Sequence, residues 1–184
     1  MGNKSKFENL KMNEITTKDF IENIKFSYFE TYSFQRKGDF DIYENLFSKY
    51  AIDDNSLSLE EQTLLKKLRN SNLYLQENNF IFTKSGDLNK TAELVCKSDN
   101  LTELNNKLTE MLKIPFFDYD AWMCGPTYRD AILFFDFNNK LVDGINICFE
   151  CCNVINLSKK EILTDRTVYI MLKTFLQSLG HKIN

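Results

Sequence analysis

The sequence is poor in proline, glycine, histidine and tryptophan, with two Pro, six Gly, one His and one Trp among 184 residues. So little Gly and Pro excludes the collagen-like and low-complexity classes. The scattered glycines form no dinucleotide-binding or phosphate-binding loop, so NAD or nucleoside triphosphate chemistry is not expected. A single His near the end of the chain allows no Ser-His-Asp set to be assembled, which favours a role without catalysis.

Long apolar runs and an excess of positive charge are also missing. No stretch of about 18 apolar residues is present, so we expect no membrane partner. The first residues lack the apolar run of a secretory signal, and a cytoplasmic location is therefore expected. Lys and Arg number 23 against 26 Asp and Glu. This balance argues against a nucleic-acid partner, because such proteins carry a basic footprint.

The chain reads as a polar tail over residues 1–16 and one α+β domain over residues 17–184. With 43% hydrophobic residues it can bury a core. Period-two patterns and turn residues predict β-strands, and the strands follow one another as hairpins rather than in βαβ units. This order predicts an antiparallel sheet with helices packed on one face. The predicted strands are Ile24–Phe34, Leu73–Leu75, Phe80–Phe82, Ala92–Cys96, Ala131–Phe137 and Leu141–Phe149.

Four segments show helical signals. A capping box of Ser58 and Glu61 opens a helix at 58–69. Apolar residues at helical spacing predict further helices at 41–51 and 101–112, and an amphipathic helix at 165–179 ends the domain. Gly180 is its expected C-terminal cap. His181 follows and is interpreted as a cation at a helix C-terminus.

Four of the five cysteines gather at one predicted hairpin. If Asn138 and Asn139 form a two-residue turn, cross-strand pairing places Arg129 opposite Cys148. The open end of this hairpin then holds the remaining members of the cluster, which are Cys124, Cys151, Cys152 and Glu150. Strand alternation puts Cys148, Glu150 and Cys152 on one face with Arg129, and Cys151 on the other face.

Three interpretations of the cysteine cluster stay open. Four thiolates could hold a metal, and zinc is the ion such a set binds, provided that the strand ends and the chain turns near Phe149. Alternatively, Arg129 could lower the pKa of Cys148 and create a reactive thiol with Cys151 or Cys124 as its resolving partner. Finally, all could be buried packing residues, as expected for Cys96. In a cytoplasmic protein we expect reduced cysteines.

The segment from Cys124-Gly125-Pro126 through Arg129 to Asp136, followed by Ile147-Cys148-Phe149-Glu150-Cys151, resembles a group of uncharacterised soluble bacterial proteins. They share a Cys-x-Pro segment with a nearby Arg, then an Ile-Cys-Phe-Glu-Cys strand and a C-terminal amphipathic helix. The resemblance covers about 60 of the 184 residues. It implies that this hairpin is a family feature, and it implies no activity.

These observations favour a small protein that acts by binding another protein, of the inhibitor or immunity type, rather than an enzyme. An exposed apolar patch is expected on such a protein, with Trp122 and Tyr128 as candidate partner-binding residues. The alternative is a metal-binding or thiol-redox protein that uses the 124–152 hairpin. The sequence does not define an oligomeric state.

Overall fold

A five-stranded antiparallel sheet with helices on one face organises the molecule, which confirms the predicted α+β class. The computed structural model describes residues 15–53, 56–71, 79–98, 103–118 and 125–183. The sheet has the strand order β3-β2-β4-β5-β6. In chain order the elements of the described residues are β1 (Ile15–Thr16), α1 (Thr17–Asn23), β2 (Tyr28–Ser33), α2 (Asp39–Ile52), α3 (Leu59–Asn70), β3 (Glu93–Lys97), α4 (Glu103–Leu112), β4 (Asp130–Phe135), β5 (Leu141–Cys148), β6 (Asn153–Asn156), β7 (Ile162–Leu163) and α5 (Arg166–Ser178).

The main core lies between one face of the sheet and helices α1, α4 and α5. Phe29, Ile132 and Ile147 from the strands meet Leu112 and Leu172 from the helices there, and all five are essentially excluded from solvent. Helix α5 follows the predicted apolar stripe. The helix ends at Ser178, and Gly180 follows it with a φ of 108°, the left-handed conformation that glycine adopts most readily.

The β4–β5 hairpin has the predicted register but not the predicted turn. Asp130 pairs with Ile147, and the pairs continue in step to Phe134 opposite Asp143, as expected from Asn138–Asn139. The expected pair of Phe137 with Lys140 is absent, because the strands stop earlier and Phe135 faces Leu141. A bulge between Phe134 and Phe135 absorbs the difference and restores the register that buries the apolar residues.

The second face of the sheet is covered by the irregular segment 79–92. Phe80–Phe82 was predicted as a hairpin strand, and this prediction is wrong: only Phe82 makes an isolated bridge, to Leu88. Its proposed partner, Leu73–Leu75, lies outside the described residues. The segment is anchored by Ile81, which is fully buried and donates its backbone N–H to the Oδ1 atom of Asn146 at 2.8 Å.

Helices α2 and α3 match their predictions closely, and the Ser58–Glu61 capping box is present at the start of α3. They pack against each other through a small apolar cluster of their own. An ion pair between Glu44 and Arg129, 2.5 Å from oxygen to nitrogen, ties α2 to the residue that precedes β4.

The last two residues of the predicted tail belong to a strand. Ile15 and Thr16 form β1, which pairs in parallel with β7. A capping box of Thr16 and Asp19 opens helix α1, an element the sequence analysis missed. The next strand therefore begins at Tyr28 rather than at Ile24. No helix of the described residues is long and apolar enough to cross a membrane.

Candidate functional site

The chain turns immediately after Cys148, and this turn decides where the cysteines lie. Strand β5 ends at Cys148, and residues 149–152 form a turn in which Cys152 has a φ of 46°. Cys148 and Cys151 consequently belong to one apolar cluster, while Phe149 and Cys152 pack against the helix-side core. The predicted division by strand alternation is wrong, because an extended backbone does not continue past Cys148.

Cys151 forms a disulfide, whereas Cys96, Cys148 and Cys152 carry reduced thiols. The expectation that all five cysteines are reduced is therefore wrong at Cys151. That expectation assumed a reducing compartment, which residue patterns do not establish. The remaining cysteine of the sequence, Cys124, lies outside the described residues. Cys96, expected to be buried, is only half-buried because β3 is an edge strand.

Cys148 is a poor candidate for a reactive thiol. Its exposed fraction is 1%, and burial raises the pKa of its thiol, although three backbone N–H groups directed at the sulfur act in the opposite direction. The Arg129 side chain, predicted to lower this pKa, pairs with Glu44 instead. The hydroxyl of Tyr169 donates a hydrogen bond to the carbonyl oxygen of Cys148 at 2.7 Å, which further holds the end of β5 in place.

No group of three or more metal-ligating side chains occurs within the described part of the chain. Glu150, a proposed supporting residue, is exposed. A zinc site with sulfur ligands requires thiolates. The Cys151 sulfur cannot act as a thiolate ligand while it is in a disulfide. The four-cysteine zinc set proposed from the sequence is therefore not available while Cys151 is oxidised.

A buried polar network lies where the segment that follows α5 meets the sheet. The His181 side chain is completely buried, and its Nδ1 atom lies 2.7 Å from Oδ1 of Asp130. A carboxylate oxygen only accepts, so Nδ1 carries the hydrogen. The other ring nitrogen lies 2.9 Å from the hydroxyl oxygen of Thr31, and the second Asp130 oxygen accepts a hydrogen bond from Arg36. Every polar atom of the imidazole is therefore used within the protein.

The sequence analysis did not find this network, because its members are far apart in the chain. Asp130 lies 51 residues before His181 and 94 residues after Arg36. The only local signal was a charged residue at the head of the apolar strand β4. His181 is not the exposed helix-end cation that was predicted, because the turn at Gly180 directs the chain back onto the sheet.

Three aromatic side chains and one arginine form a stacked array on the helical pair, in which Tyr43 is half-buried and the other three are exposed. The guanidinium carbon of Arg69 lies 5.4 Å from the ring centre of Phe47 and 5.1 Å from that of Tyr50. Tyr43 stacks on Phe47 with the ring planes 7° apart. Phe47 and Tyr50 remain 40% and 39% exposed. These four residues are called the α2–α3 surface below.

A groove of about 580 Å³ adjoins this surface. Tyr50 and Leu65 contribute its apolar wall, and Lys66 and Arg69 contribute two positive charges. None of the described residues that line it is a carboxylate. The groove therefore combines apolar contact area with positive charge.

The two partner-binding residues predicted from the sequence do not form a described surface. Tyr128 is buried, its hydroxyl lies 2.6 Å from Oδ1 of Asn153, and its ring stacks on Phe80. Tyr128 is thus a core residue, which is unfavourable for the contact role predicted for it. Trp122 lies outside the described residues.

No family model, curated protein or solved structure matches this chain. The resemblance to uncharacterised bacterial proteins stays a prediction.

Proposed function

We propose that this protein is a non-catalytic binding protein that recognises another protein through the α2–α3 surface. The observation that carries the proposal is the stack of Phe47, Arg69 and Tyr50, which is exposed although it is largely apolar. Tyr and Arg are among the residues that contribute most to binding energy at protein interfaces. Stacking also holds the Arg69 side chain in place, so less side-chain entropy is lost when a partner binds.

The partner is a protein segment that carries both carboxylates and an apolar side chain. Lys66 and Arg69 line the groove, and no acidic residue among its described lining residues neutralises them. Complementary charge of this kind directs a partner and accelerates association. The apolar wall of Tyr50 and Leu65 offers a place for the apolar side chain.

The buried polar groups support binding rather than catalysis. The chain has one histidine, and its side chain is completely buried with both ring nitrogens engaged. A general base must reach the proton that it removes, and His181 reaches only Asp130 and Thr31. Cys148 lies in the apolar core with a raised thiol pKa, which is unfavourable for a nucleophile.

Site-specific photo-cross-linking tests the proposal. A benzophenone amino acid is placed at position 47 and, as a control, at Ile170, an exposed apolar residue of α5. We expect one defined protein adduct at position 47 that does not form at position 170, with the cross-linked peptide rich in Asp or Glu. An adduct pattern identical at both positions would contradict the proposal.

Affinity measurements with the purified partner then separate recognition from incidental capture. Tyr50→Ala removes an interface side chain, and a loss of about 2 kcal/mol, or roughly 30-fold in Kd, is expected for a residue of this kind. Lys67→Ala is the control, since Lys67 is exposed on α3, the helix that carries Lys66 and Arg69, but lies outside the groove lining. Equal affinities for both variants would refute the assignment of the surface.

The disulfide of Cys151 favours a second candidate, a protein that undergoes thiol–disulfide exchange. It places an oxidised cysteine beside Cys152 and in one apolar cluster with Cys148, so reduced thiols lie on both sides of it in the chain. Exchange proceeds by attack of a thiolate on a disulfide sulfur. Peptide mapping should show whether Cys124 is the bonded partner.

Equilibration with glutathione buffers tests this candidate. Reduction near the glutathione potential with the fold retained, followed by circular dichroism, is the expected result for an exchanging disulfide. A disulfide that resists reduction until the protein unfolds is structural and would exclude the redox role. Addition of zinc to the reduced protein, followed by native mass measurement, tests the metal interpretation separately.

A further inference from the structure

A cavity of about 290 Å³ lies on the face of the sheet opposite to the main helices. It is bounded by the segment 79–92 on one side and by the turn that follows β6 on the other. Its volume is close to the lower end of the range for ligand pockets, about 300–1,000 Å³. It is separate from the α2–α3 surface, so it is independent of the proposed function.

The floor of the cavity carries a hydrogen-bond donor without an acceptor. Asn146 is only 2% exposed, and its Oδ1 accepts the backbone N–H of Ile81 at 2.8 Å. A backbone N–H only donates, so the atom that it meets is the amide oxygen and the other branch is the NH₂ group. No hydrogen bond within the described residues uses this Nδ2 atom, and Asn146 lines the cavity. The Nδ2 group opens onto the cavity, where a hydrogen-bond acceptor of a ligand can reach it.

Aromatic walls and positive charge complete the cavity. Phe80 and Phe82 line it, and the Phe80 ring is held by stacking on Tyr128, with the ring centres 5.4 Å apart. The Nζ atom of Lys159 lies 4.3 Å from the Phe80 ring centre. Lys84 also lines the cavity, and no described lining residue is acidic.

Lys159 is held in place by a well-defined turn. Its backbone N–H donates to the carbonyl oxygen of Asn156 at 3.0 Å, and the N–H of Lys160 donates to the Asn156 side chain at 2.9 Å. Lys159 itself has a φ of 62°. The backbone that carries the positive charge of Lys159 is therefore fixed by the hydrogen bonds of this turn.

We propose that this cavity binds a small aromatic carboxylate. The ring packs against Phe82 and the edge of Phe80, the carboxylate pairs with Lys159, and a carboxylate oxygen accepts a hydrogen bond from Nδ2 of Asn146. Each part of the ligand thus corresponds to one observation: apolar aromatic walls, the positive charge of Lys159 with no acidic residue among the described lining residues, and an amide donor that no described residue uses.

Titration of the ¹⁵N-labelled full chain with benzoate tests the proposal by NMR. We expect the side-chain NH₂ pair of Asn146, identified as the pair missing from Asn146→Asp, to shift saturably. Asn146→Asp keeps an acceptor for Ile81 but removes the donor and adds a negative charge, so its affinity for benzoate should fall at least tenfold. Lys159→Gln should also weaken binding at least tenfold, whereas Lys160→Gln, on the same turn, should leave it within twofold.

Two further probes separate the parts of the assignment. Benzamide lacks the charge and cyclohexanecarboxylate lacks the planar ring, and both should bind at least fivefold more weakly than benzoate. If the Asn146 pair does not shift, or if Lys159→Gln binds benzoate as well as Lys160→Gln does, the proposal is overturned. Lys159 is exposed, so its replacement remains a valid test even if Asn146→Asp folds poorly.

Discussion

Replacement of His181 by Ala is the most direct test of how the end of the chain holds the fold. The change removes two hydrogen bonds, one to Asp130 at 2.7 Å and one to Thr31 at 2.9 Å. Asp130 is 1% exposed, so its carboxylate depends on protein donors rather than on bulk solvent. The carboxylate of Asp130 keeps its ion pair with Arg36, so the variant loses the His181 part of the network and retains the Arg36 part.

The expected cost follows from these contacts. A hydrogen bond to a charged acceptor contributes about 1.5–3 kcal/mol and a neutral one about 0.5–1.5 kcal/mol. The vacated imidazole volume adds a cavity cost, and removing one partner of a buried charge typically costs about 3–5 kcal/mol. We expect His181→Ala to lower the free energy of unfolding by about 4 kcal/mol, a large share of the roughly 5–15 kcal/mol of a typical domain.

Urea unfolding followed by circular dichroism, without reductant so that the Cys151 disulfide stays intact, measures this change. With a urea slope of about 2 kcal/mol/M, the midpoint should fall by about 2 M. Lys182→Ala is the matched control, because the neighbouring residue is exposed. In a double-mutant cycle, His181→Ala and Asp130→Asn should couple by more than about 1 kcal/mol. A loss below about 1 kcal/mol for His181→Ala, or one equal to that of the control, would refute the reasoning.

Three further outcomes are expected. Gly144→Ala should lower the free energy of unfolding by about 1–3 kcal/mol, because a Cβ there would lie 2.8 Å from the Ile132 carbonyl oxygen. Gly125→Ala is the control and should leave the stability unchanged, because there is open space around Gly125; equal urea midpoints for the two variants would contradict this prediction. Iodoacetamide should modify Cys148 much more slowly than the half-buried Cys96, since Cys148 is buried with a raised thiol pKa, and equal rates by peptide mass mapping would show otherwise. Asp165 caps α5, and burial by itself would raise the pKa of its carboxyl, but the hydrogen bonds that it accepts from backbone N–H groups outweigh burial and lower this pKa. The stability that the carboxylate contributes is therefore fully present above the ordinary pKa of about 3.9, and it is lost as the pH falls through the lowered pKa of the folded state. Asp165→Ala should therefore cost about 2 kcal/mol at pH 7 and flatten the loss of stability in acid, and an unchanged acid limb in pH-dependent unfolding would contradict the assignment.

Local signals predicted well those elements that depend on nearby residues. The Ser58–Glu61 capping box marks the start of α3 because both partners lie within one helical turn. The register of β4 and β5 was predicted although the turn was not, because a slip of one residue would turn the apolar face of both strands outward. In contrast, the alternation rule failed at Cys151 and Cys152, since it holds only while the backbone stays extended.

The candidate sites depended on contacts that no local pattern records. The stack of Phe47, Tyr50 and Arg69 requires α2 and α3 to pack side by side, which places residues of two helices in one array. The open donor of Asn146 exists only because the distant Ile81 uses the other branch of the same amide. A hydropathy pattern shows that residues are apolar or polar, but it does not show which distant groups they meet.

By itself, the sequence determined the α+β class, four helices with their boundaries to within about two residues, and the pairing of β4 with β5, because periodicity and capping act over short distances. Only the tertiary structure decided that His181 is buried against Asp130, that Cys151 is oxidised, and that Phe47 and Tyr50 of α2 stack with Arg69 of α3. The physical reason is that burial, pairing and exposure are properties of the whole packed chain, whereas a local pattern specifies only the conformation of a segment.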